Sequence, residues 1–127
     1  MHDCLVVDDS RVVRKVARRM LEHLCFAVRE AENGAEALEA CRSGLPAFVL
    51  LDRNMPVMDG IECLRALRRD FGDACPPVMF CTTEAALHQI IEALEAGARE
   101  YIMKPFDEEL LRDKFEQAGL LQQDRAA

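Results

Sequence analysis

The sequence lacks any apolar run long enough to cross a membrane and any segment of biased composition. Its longest apolar runs fall far short of the roughly 18 residues that a membrane span needs. The first ten residues, MHDCLVVDDS, carry acids where a signal peptide carries basic residues. No Gly-rich, Pro-rich or repeated stretch suggests a linker or a solenoid. We therefore expect a globular chain that stays in the cytoplasm without membrane insertion.

The chain also lacks paired cysteines and an excess of basic residues. Its six cysteines show no CxxC spacing and no nearby His at ligand spacing, so we expect reduced, mostly buried thiols. The 16 basic and 23 acidic side chains give a formal charge of −7. The field around such an acidic domain repels nucleic acid, which argues against direct DNA binding.

Five strand-sized apolar runs alternate with five segments of helical periodicity. The runs are CLVV, FAV, AFVLL, PVMFC and YIM, and the helical segments span residues 11–24, 35–41, 60–69, 85–96 and 108–118. Continuous apolar runs are typical of strands buried on both faces, and the alternation requires right-handed crossovers. The pattern predicts an α/β fold, (βα)₅, with a doubly wound, flavodoxin-like parallel sheet. We expect one domain over residues 1–121 and a short tail at 122–127.

The first helical segment is the clearest. Its apolar residues fall on one face, which predicts a helix packed against the sheet. They are Val12, Val13, Val16, Ala17, Met20, Leu21 and Leu24.

Reactive side chains follow the carboxyl ends of the predicted strands, which is where functional groups of such sheets collect. Asp8 and Asp9 end strand 1, Asp52 ends strand 3, and Lys104 follows strand 5. In the strand order 2-1-3-4-5, strands 1 and 3 are neighbours, so the three acids share a pocket. Carboxylates so close together either shift their pKa values upward or bind a hard cation. We predict a site for Mg²⁺, with Mn²⁺ as a substitute.

Strand 4 ends in Thr82 and Thr83, which adds hydroxyl groups to this edge of the sheet. A cation and an ammonium group can neutralise phosphoryl oxygens, and a hydroxyl can donate a hydrogen bond to them. An aspartate can be the nucleophile that forms an acyl phosphate. The sequence therefore predicts that Asp52 is phosphorylated.

Four motifs together resemble the receiver domain of bacterial two-component response regulators. They are VVDDS, LLDRNMPVMDG, FCTTEA and YIMKPF, in that order, and the resemblance covers essentially the whole chain. It implies that Asp52 is the phosphoacceptor and Asp9 a direct metal ligand. It also implies that Asp8 binds the metal mainly through water and Asn54 through its backbone carbonyl.

The resemblance assigns the remaining residues of the site as well. Lys104 and Thr82 would bind the phosphoryl group, assisted by the backbone of Thr83. Thr82 and Tyr101 would move together as the switch, although Tyr101 also suits a plain core aromatic. The Lys104–Pro105 peptide bond is expected to be cis.

The implied function is a stand-alone switch without an output domain. The phosphodonor would be a histidine kinase or a histidine phosphotransferase. Phosphorylation would shift the population of conformers and remodel the surface of helix 4, strand 5 and helix 5, which a partner protein reads. Chemotaxis and phosphorelay roles both fit, as do a monomer and a weak phosphorylation-dependent dimer. Catalysis would be limited to the chain's own phosphorylation and dephosphorylation.

Two features lie outside the resemblance. Arg53, Asn54 and Glu84 flank the predicted pocket and could set the lifetime of the acyl phosphate. The first helix carries a basic stripe, which suits a solvated face, a docking site for an acidic helical bundle, or a site for an anionic ligand such as a cyclic dinucleotide. The stripe consists of Arg11, Arg14, Lys15, Arg18 and Arg19.

Alternatives remain at three points. An Asp nucleophile with Mg²⁺, Thr and Lys is also found in haloacid-dehalogenase-type phosphohydrolases, but those resemble DxD at the nucleophile and usually carry a cap insertion. A degenerate receiver that binds constitutively is disfavoured because every phosphorylation residue is present. Asp9 or Ser10 could cap the first helix, and Asp59 with Gly60 reads as the start of the third.

Overall fold

The computed structural model describes residues 2–83 and 87–119, in which five strands alternate with five α-helices. The strands are β1 (Asp3–Val7), β2 (Ala27–Ala31), β3 (Phe48–Asp52), β4 (Val78–Thr82) and β5 (Glu100–Met103). The helices are α1 (Arg11–His23), α2 (Gly34–Ser43), α3 (Gly60–Phe71), α4 (Leu87–Glu95) and α5 (Glu108–Gln117). All neighbouring strands are parallel, and their order is β2-β1-β3-β4-β5. The predicted fold and strand order are confirmed.

The sheet is buried on both faces, as the continuous apolar runs indicate. Helices α1 and α5 cover one face, where Phe26, Phe48 and Phe115 meet edge to face with centroids 4.6–5.7 Å apart. Helices α2, α3 and α4 cover the other face. Side chains alternate between these faces along each strand: Phe48 and Leu50 point towards α1 and α5, whereas Val49 and Leu51 point the other way. No helix among the described residues is both long and apolar enough to span a bilayer.

Helix α1 begins after Ser10, whose hydroxyl accepts a hydrogen bond from the Val13 amide at 3.2 Å. A single hydroxyl therefore caps this helix. The apolar residues of α1 are not all buried: Ala17 and Leu21 pack under the helix, but Val12 is 73% exposed and Val16 is 49% exposed. The predicted apolar face is thus wider than the part of it that meets the sheet.

Three residues of the basic stripe converge on one carboxylate of β2. Glu30 accepts hydrogen bonds from Arg14 at 3.1 Å, Lys15 at 2.8 Å and Arg18 at 2.6 Å. Burial alone would raise the pKa of Glu30, but hydrogen bonds from Lys15, Arg18 and Arg14 outweigh it and lower the pKa to about 2. These three cations therefore anchor α1 to the edge strand of the sheet.

Replacing Glu30 by Gln is expected to lower the free energy of unfolding by about 1–2 kcal/mol at pH 7, because three donors lose a charged acceptor. A lowered pKa means that the stabilisation is complete above the ordinary value of 4.5 and is lost as the pH falls towards 2. Urea unfolding of both proteins between pH 7 and pH 3 would measure this. Glu39→Gln, which removes a single exposed ion pair with Arg42, is the control and should cost less than about 0.5 kcal/mol. An equal loss in both variants would contradict the anchoring role.

Helix α3 begins where the sequence indicates. Asp59 caps it by accepting a hydrogen bond from the Glu62 amide at 2.9 Å, and Glu62 accepts one from the Asp59 amide at 3.1 Å. Gly60 follows in tight contact with β3: a Cβ at this position would lie 2.7 Å from the Asp52 carbonyl oxygen. A glycine is therefore needed for the loop after β3 to pack beside Asp52.

Candidate functional site

Strand alternation brings three charged side chains together at the carboxyl edge of the sheet. Asp52 continues the series of Phe48 and Leu50, so it lies on the face covered by α1 and α5. Asp8 continues the corresponding series of β1, and Lys104 continues that of β5 through Ile102. The backbone amide of Lys104 donates to the Thr82 carbonyl at 2.8 Å, which extends the ladder between β4 and β5. The sheet thus fixes the backbone positions of Asp8, Asp52 and Lys104.

Lys104 forms ion pairs with both buried acids. Its Nζ lies 2.7 Å from Asp8 Oδ2 and 3.2 Å from Asp52 Oδ1. Burial raises the pKa of Asp52; the charge of Lys104 opposes this, the charge of Asp8 adds to it, and the net effect is upward. Burial lowers the pKa of Lys104, but its hydrogen bond to Asp8 and the two negative charges outweigh that, so its pKa is raised. The lysine is therefore a fixed positive charge.

Asp9 completes a cluster of three carboxylates. One oxygen from each of Asp8, Asp9 and Asp52 lies within 4.8 Å of the others, and Asp9 is exposed whereas the other two are buried. Asp8 Oδ1 also accepts from the Ser10 amide at 2.9 Å, which orients its carboxylate. An all-oxygen set with one exposed member suits a hard cation such as Mg²⁺ better than a soft metal. The residues present therefore fit the predicted cation.

The loop after β3 adds polar groups beside Asp52. The backbone amide of Asn54 donates to Asp52 Oδ1 at 3.3 Å, and the Asn54 side chain is exposed. Thr83 is exposed at the end of β4, and the Lys104–Pro105 peptide bond is cis. A cis bond at this position is what the family resemblance implies.

Thr82 and Tyr101 lie together on the opposite face of the sheet, towards α4. They line one narrow cavity with Arg53, Phe80 and Ala93. Thr82 is buried, and Tyr101 is half-buried, with Lys114 Nζ 4.5 Å from its ring centroid. The two residues expected to move together are therefore neighbours, and their cavity adjoins α4.

Arg53 extends away from the carboxylate cluster. Its guanidinium donates to the Gln89 carbonyl at 3.3 Å and to the carboxylate of Glu92, both in α4. Sequence reasoning missed Glu92, although alternation along Val49, Leu51 and Arg53 indicates the side of the sheet on which Arg53 lies. Glu84 lies outside the described residues.

A second feature that sequence reasoning missed is an apolar groove of about 340 Å³ between α1 and the loop after β5. Its lining includes the apolar side chains of Val12, Val16 and Phe106 together with Thr83 and Lys104. The exposure of Val12 and Val16 indicates the groove, but this exposure is known only once the position of α1 is known. Lys104 belongs to both features, because it lines the groove and pairs with Asp8 and Asp52.

Comparison with known proteins agrees with this geometry. Residues 4–116 match the response regulator receiver domain family. The chain is 42% identical over 113 residues to the chemotaxis protein CheY of Pseudomonas aeruginosa, covering 88% of this chain and 91% of that protein. It is 40% identical over 113 residues to CheY-3 of Vibrio cholerae, covering 88% of this chain and 87% of that protein.

Solved structures show the same similarity. The structure of CheY4 of Vibrio cholerae superposes with a TM-score of 0.87 at 30% identity, covering 93% of this chain and 98% of that chain. The similarity thus extends over the sheet, its helices and the carboxyl edge where Asp8, Asp52 and Lys104 meet. The chain therefore belongs to the response regulator receiver domain family and is a CheY-like phosphoacceptor signalling protein.

Proposed function

We propose that Asp52 is the phosphoacceptor of this switch. The observation that carries the proposal is the position of its carboxylate, buried at the end of β3 with Lys104 Nζ at 3.2 Å and the Asp8–Asp9 pair beside it. Because β3 ends on this residue, the carboxylate is held at the carboxyl edge of the sheet. Asp8 is buried beside the same lysine, but both of its oxygens are engaged: Oδ1 accepts from the Ser10 amide and Oδ2 accepts from Lys104.

In the proposed reaction a carboxylate oxygen of Asp52 forms a bond to phosphorus, and the bond from phosphorus to the donor's leaving group breaks. For a phosphohistidine donor the leaving group is the imidazole nitrogen, which keeps the electron pair. Lys104 neutralises phosphoryl oxygens, and the backbone of Thr83 and the Thr82 hydroxyl would donate hydrogen bonds to them. Hydrolysis of the acyl phosphate resets the chain, with Arg53, Asn54 and Glu84 as candidates for tuning its lifetime.

Asp8, Asp9, Asp52 and the backbone carbonyl of Asn54 would hold Mg²⁺, with Mn²⁺ as a substitute. When bound, the cation supplies positive charge that offsets the repulsion between the carboxylates and the incoming phosphoryl group. Support comes from the 4.8 Å carboxylate cluster, which is the only group of three possible metal ligands among the described residues.

The output surface would comprise α4, β5 and α5. Leu87, Ile91 and Leu94 are exposed at helical spacing along α4, which suits contact with a partner protein. Coupled movement of Thr82 and Tyr101 would alter how α4 packs and so change this surface. The names of the two similar curated proteins favour a chemotaxis role over a phosphorelay. The switch would act as a monomer or as a weak dimer that forms on phosphorylation.

The proposed location is the cytoplasm, a compartment that keeps thiols reduced, and all six cysteines are free thiols.

The phosphodonor would be a histidine kinase or a histidine phosphotransferase that docks its histidine-bearing helix in the groove beside α1. Continuity supports this, because Lys104 lines the groove and also pairs with Asp8 and Asp52. Arg11 and Arg19 are exposed on α1 and form no ion pair among the described residues, so they suit an acidic flank on the donor. The other three basic residues of α1 are engaged by Glu30.

Replacing Val12 by Glu is expected to slow phosphotransfer from a phosphorylated histidine phosphotransfer domain about tenfold, which corresponds to roughly 1.4 kcal/mol. A charge in the groove has to be desolvated on docking, whereas a small donor needs no groove. Acetyl phosphate should therefore phosphorylate the variant at the wild-type rate. Leu45→Glu, at an exposed apolar residue between α2 and β3, is the control. If the variant were phosphorylated equally slowly from both donors, the defect would lie in the phosphotransfer chemistry and not in docking.

The direct test of the proposed function is intact-mass spectrometry of the wild type after incubation with acetyl phosphate and Mg²⁺. We expect one alkali-labile phosphoryl group that is absent when a chelator replaces Mg²⁺. No uptake at any Mg²⁺ concentration, in a chain shown to be folded, would contradict the proposal.

A further inference from the structure

Arg53, the residue directly after the proposed phosphoacceptor, contacts helix α4 with its side chain. Its backbone is held on both sides, since its amide donates to the Cys81 carbonyl and its carbonyl accepts from the Gly60 amide, each at 2.9 Å. Its guanidinium donates to the Gln89 carbonyl and pairs with the Glu92 carboxylate. A backbone held on both sides and a guanidinium that donates to two groups of α4 make this side chain a direct link between the carboxyl end of β3 and α4.

The link is partly protected from water. The Arg53 side chain is only 15% exposed, whereas Glu92 is 49% exposed. An ion pair whose acid is about half exposed is modest in strength and can break when the helix moves. Such a contact can bias an equilibrium between two positions of α4 without fixing either.

Helix α4 buries few side chains. Ala93 is its single buried residue, whereas α3 buries six. Helices that bury few apolar side chains open or shift at low free-energy cost. Among the contacts of the described residues, the Arg53 ion pair is therefore a substantial part of what positions α4.

The same arginine forms a wall of the cavity that holds the switch residues. Thr82, Tyr101 and Arg53 meet there with Ile90 and Ala93 of α4, around a free volume of about 10 Å³. A space of that size admits at most about one water molecule. Movement of Thr82 or Tyr101 within this cavity therefore requires its walls to shift, and α4 is one of those walls.

We propose that the Arg53–Glu92 ion pair is a latch that stabilises the unphosphorylated position of α4 and thereby sets how readily the chain switches. The proposal rests on phosphorylation at Asp52. Breaking the latch lowers the cost of the switched conformer, and a phosphoryl group or its mimic then binds more tightly. Arg53 and Glu92 lie on the opposite face of the sheet from Asp8, Asp52 and Lys104, so the latch would act through the position of α4.

The test uses Glu92→Gln in the full chain with beryllium fluoride and Mg²⁺, which together mimic a bound phosphoryl group. Tyr101 is the single tyrosine of a chain without tryptophan, so intrinsic fluorescence reports on the switch cavity. We expect the apparent dissociation constant of the mimic to fall about 2- to 5-fold, the range available to a partly exposed ion pair. Hydrogen exchange of residues 87–95 in the unliganded variant should speed up.

Glu95→Gln is the matched control, since it removes the same charge from the same helix. Both glutamates line one surface depression with Arg65 and His88, but Glu95 has no ion pair within 4 Å among the described residues. We expect wild-type affinity and exchange in this control. On an Arg53→Gln background, the Glu92→Gln substitution should have no further effect, which distinguishes the pair from general loosening of α4.

Three outcomes would overturn the latch: unchanged or weaker affinity in Glu92→Gln, an equal change in Glu95→Gln, or an undiminished effect on the Arg53→Gln background. Faster exchange with unchanged affinity would make the pair a structural tie only. Failure of the proposed function has a different signature. If the wild type takes up no phosphoryl group, both phosphorylation at Asp52 and the latch are contradicted. If the wild type is phosphorylated but binds the mimic as tightly as Glu92→Gln does, only the latch is contradicted.

Discussion

Replacing Asp52 by Asn is expected to abolish phosphorylation by acetyl phosphate. The amide has nearly the same shape as the carboxylate, so Lys104 and the Asn54 amide keep an acceptor oxygen at the end of β3. An amide oxygen, however, is neutral and a far weaker nucleophile than a carboxylate. Uptake measured by intact mass should fall to background at every Mg²⁺ concentration, while the wild type gains one phosphoryl group.

The variant should remain folded, because the substitution removes a buried charge that repels Asp8. Its free energy of unfolding is therefore expected to stay within about 1 kcal/mol of the wild type. Asp73→Asn, at an exposed acid of the 3₁₀ turn after α3, makes the same chemical change outside the site and should be phosphorylated normally. Wild-type uptake by Asp52→Asn would assign the acceptor to another residue.

The positions of Asp8, Asp52 and Lys104 could be predicted because they depend on topology and alternation alone. A parallel sheet in the order β2-β1-β3-β4-β5 places the ends of β1 and β3 side by side. Side chains two residues apart then share a face, so each charged residue continues a buried apolar series that is readable in the sequence. Such features survive small errors in element boundaries. The roles of these residues in phosphorylation remain proposals.

The direction of Arg53 follows from the same rule, but its partner does not. Alternation places Arg53 on the side of Val49 and Leu51, away from Asp52. Finding Glu92 also requires the position of α4, which depends on packing across the whole sheet. Sequence proximity to Asp52 suggested a role in the pocket, whereas the guanidinium pairs with Glu92, which lies 39 positions further along the chain.

Helix α1 illustrates a second limit. Periodicity correctly predicts the helix and its apolar side, but seven apolar residues cover a wider arc than one contact with a sheet can bury. Which edge remains exposed is decided by the loop after β5, whose Phe106 forms the other wall of the groove. The basic stripe shows the same limit. Periodicity predicts that its residues share a face, but their contact with Glu30 depends on where β2 lies beside the helix.

Replacing Lys104 by Met is expected to destabilise the metal-free protein by about 3 kcal/mol, because it removes the cation from two buried carboxylates. Its Nζ lies 2.7 Å from Asp8 and 3.2 Å from Asp52, and the lysine side chain is 17% exposed against 5% for each acid. Met retains most of the volume, so the loss reflects charge more than packing. Urea unfolding followed by circular dichroism, in a chelator at neutral pH, would measure it.

Mg²⁺ should reverse most of this loss, because a cation that binds the folded state alone stabilises it in proportion to its affinity. Lys104 and Mg²⁺ neutralise the same carboxylates, so removing the lysine should strengthen Mg²⁺ binding while it weakens the metal-free fold. The double variant Asp8→Asn/Lys104→Met removes one repelling charge as well, and should be more stable in chelator than Lys104→Met alone. If Lys104→Met matched the wild type in chelator and responded equally to Mg²⁺, Lys104 would not be the charge that holds this cluster together. The expected opposite signs, a weaker fold and tighter metal binding, distinguish loss of a neutralising charge from a general packing defect, which would weaken both.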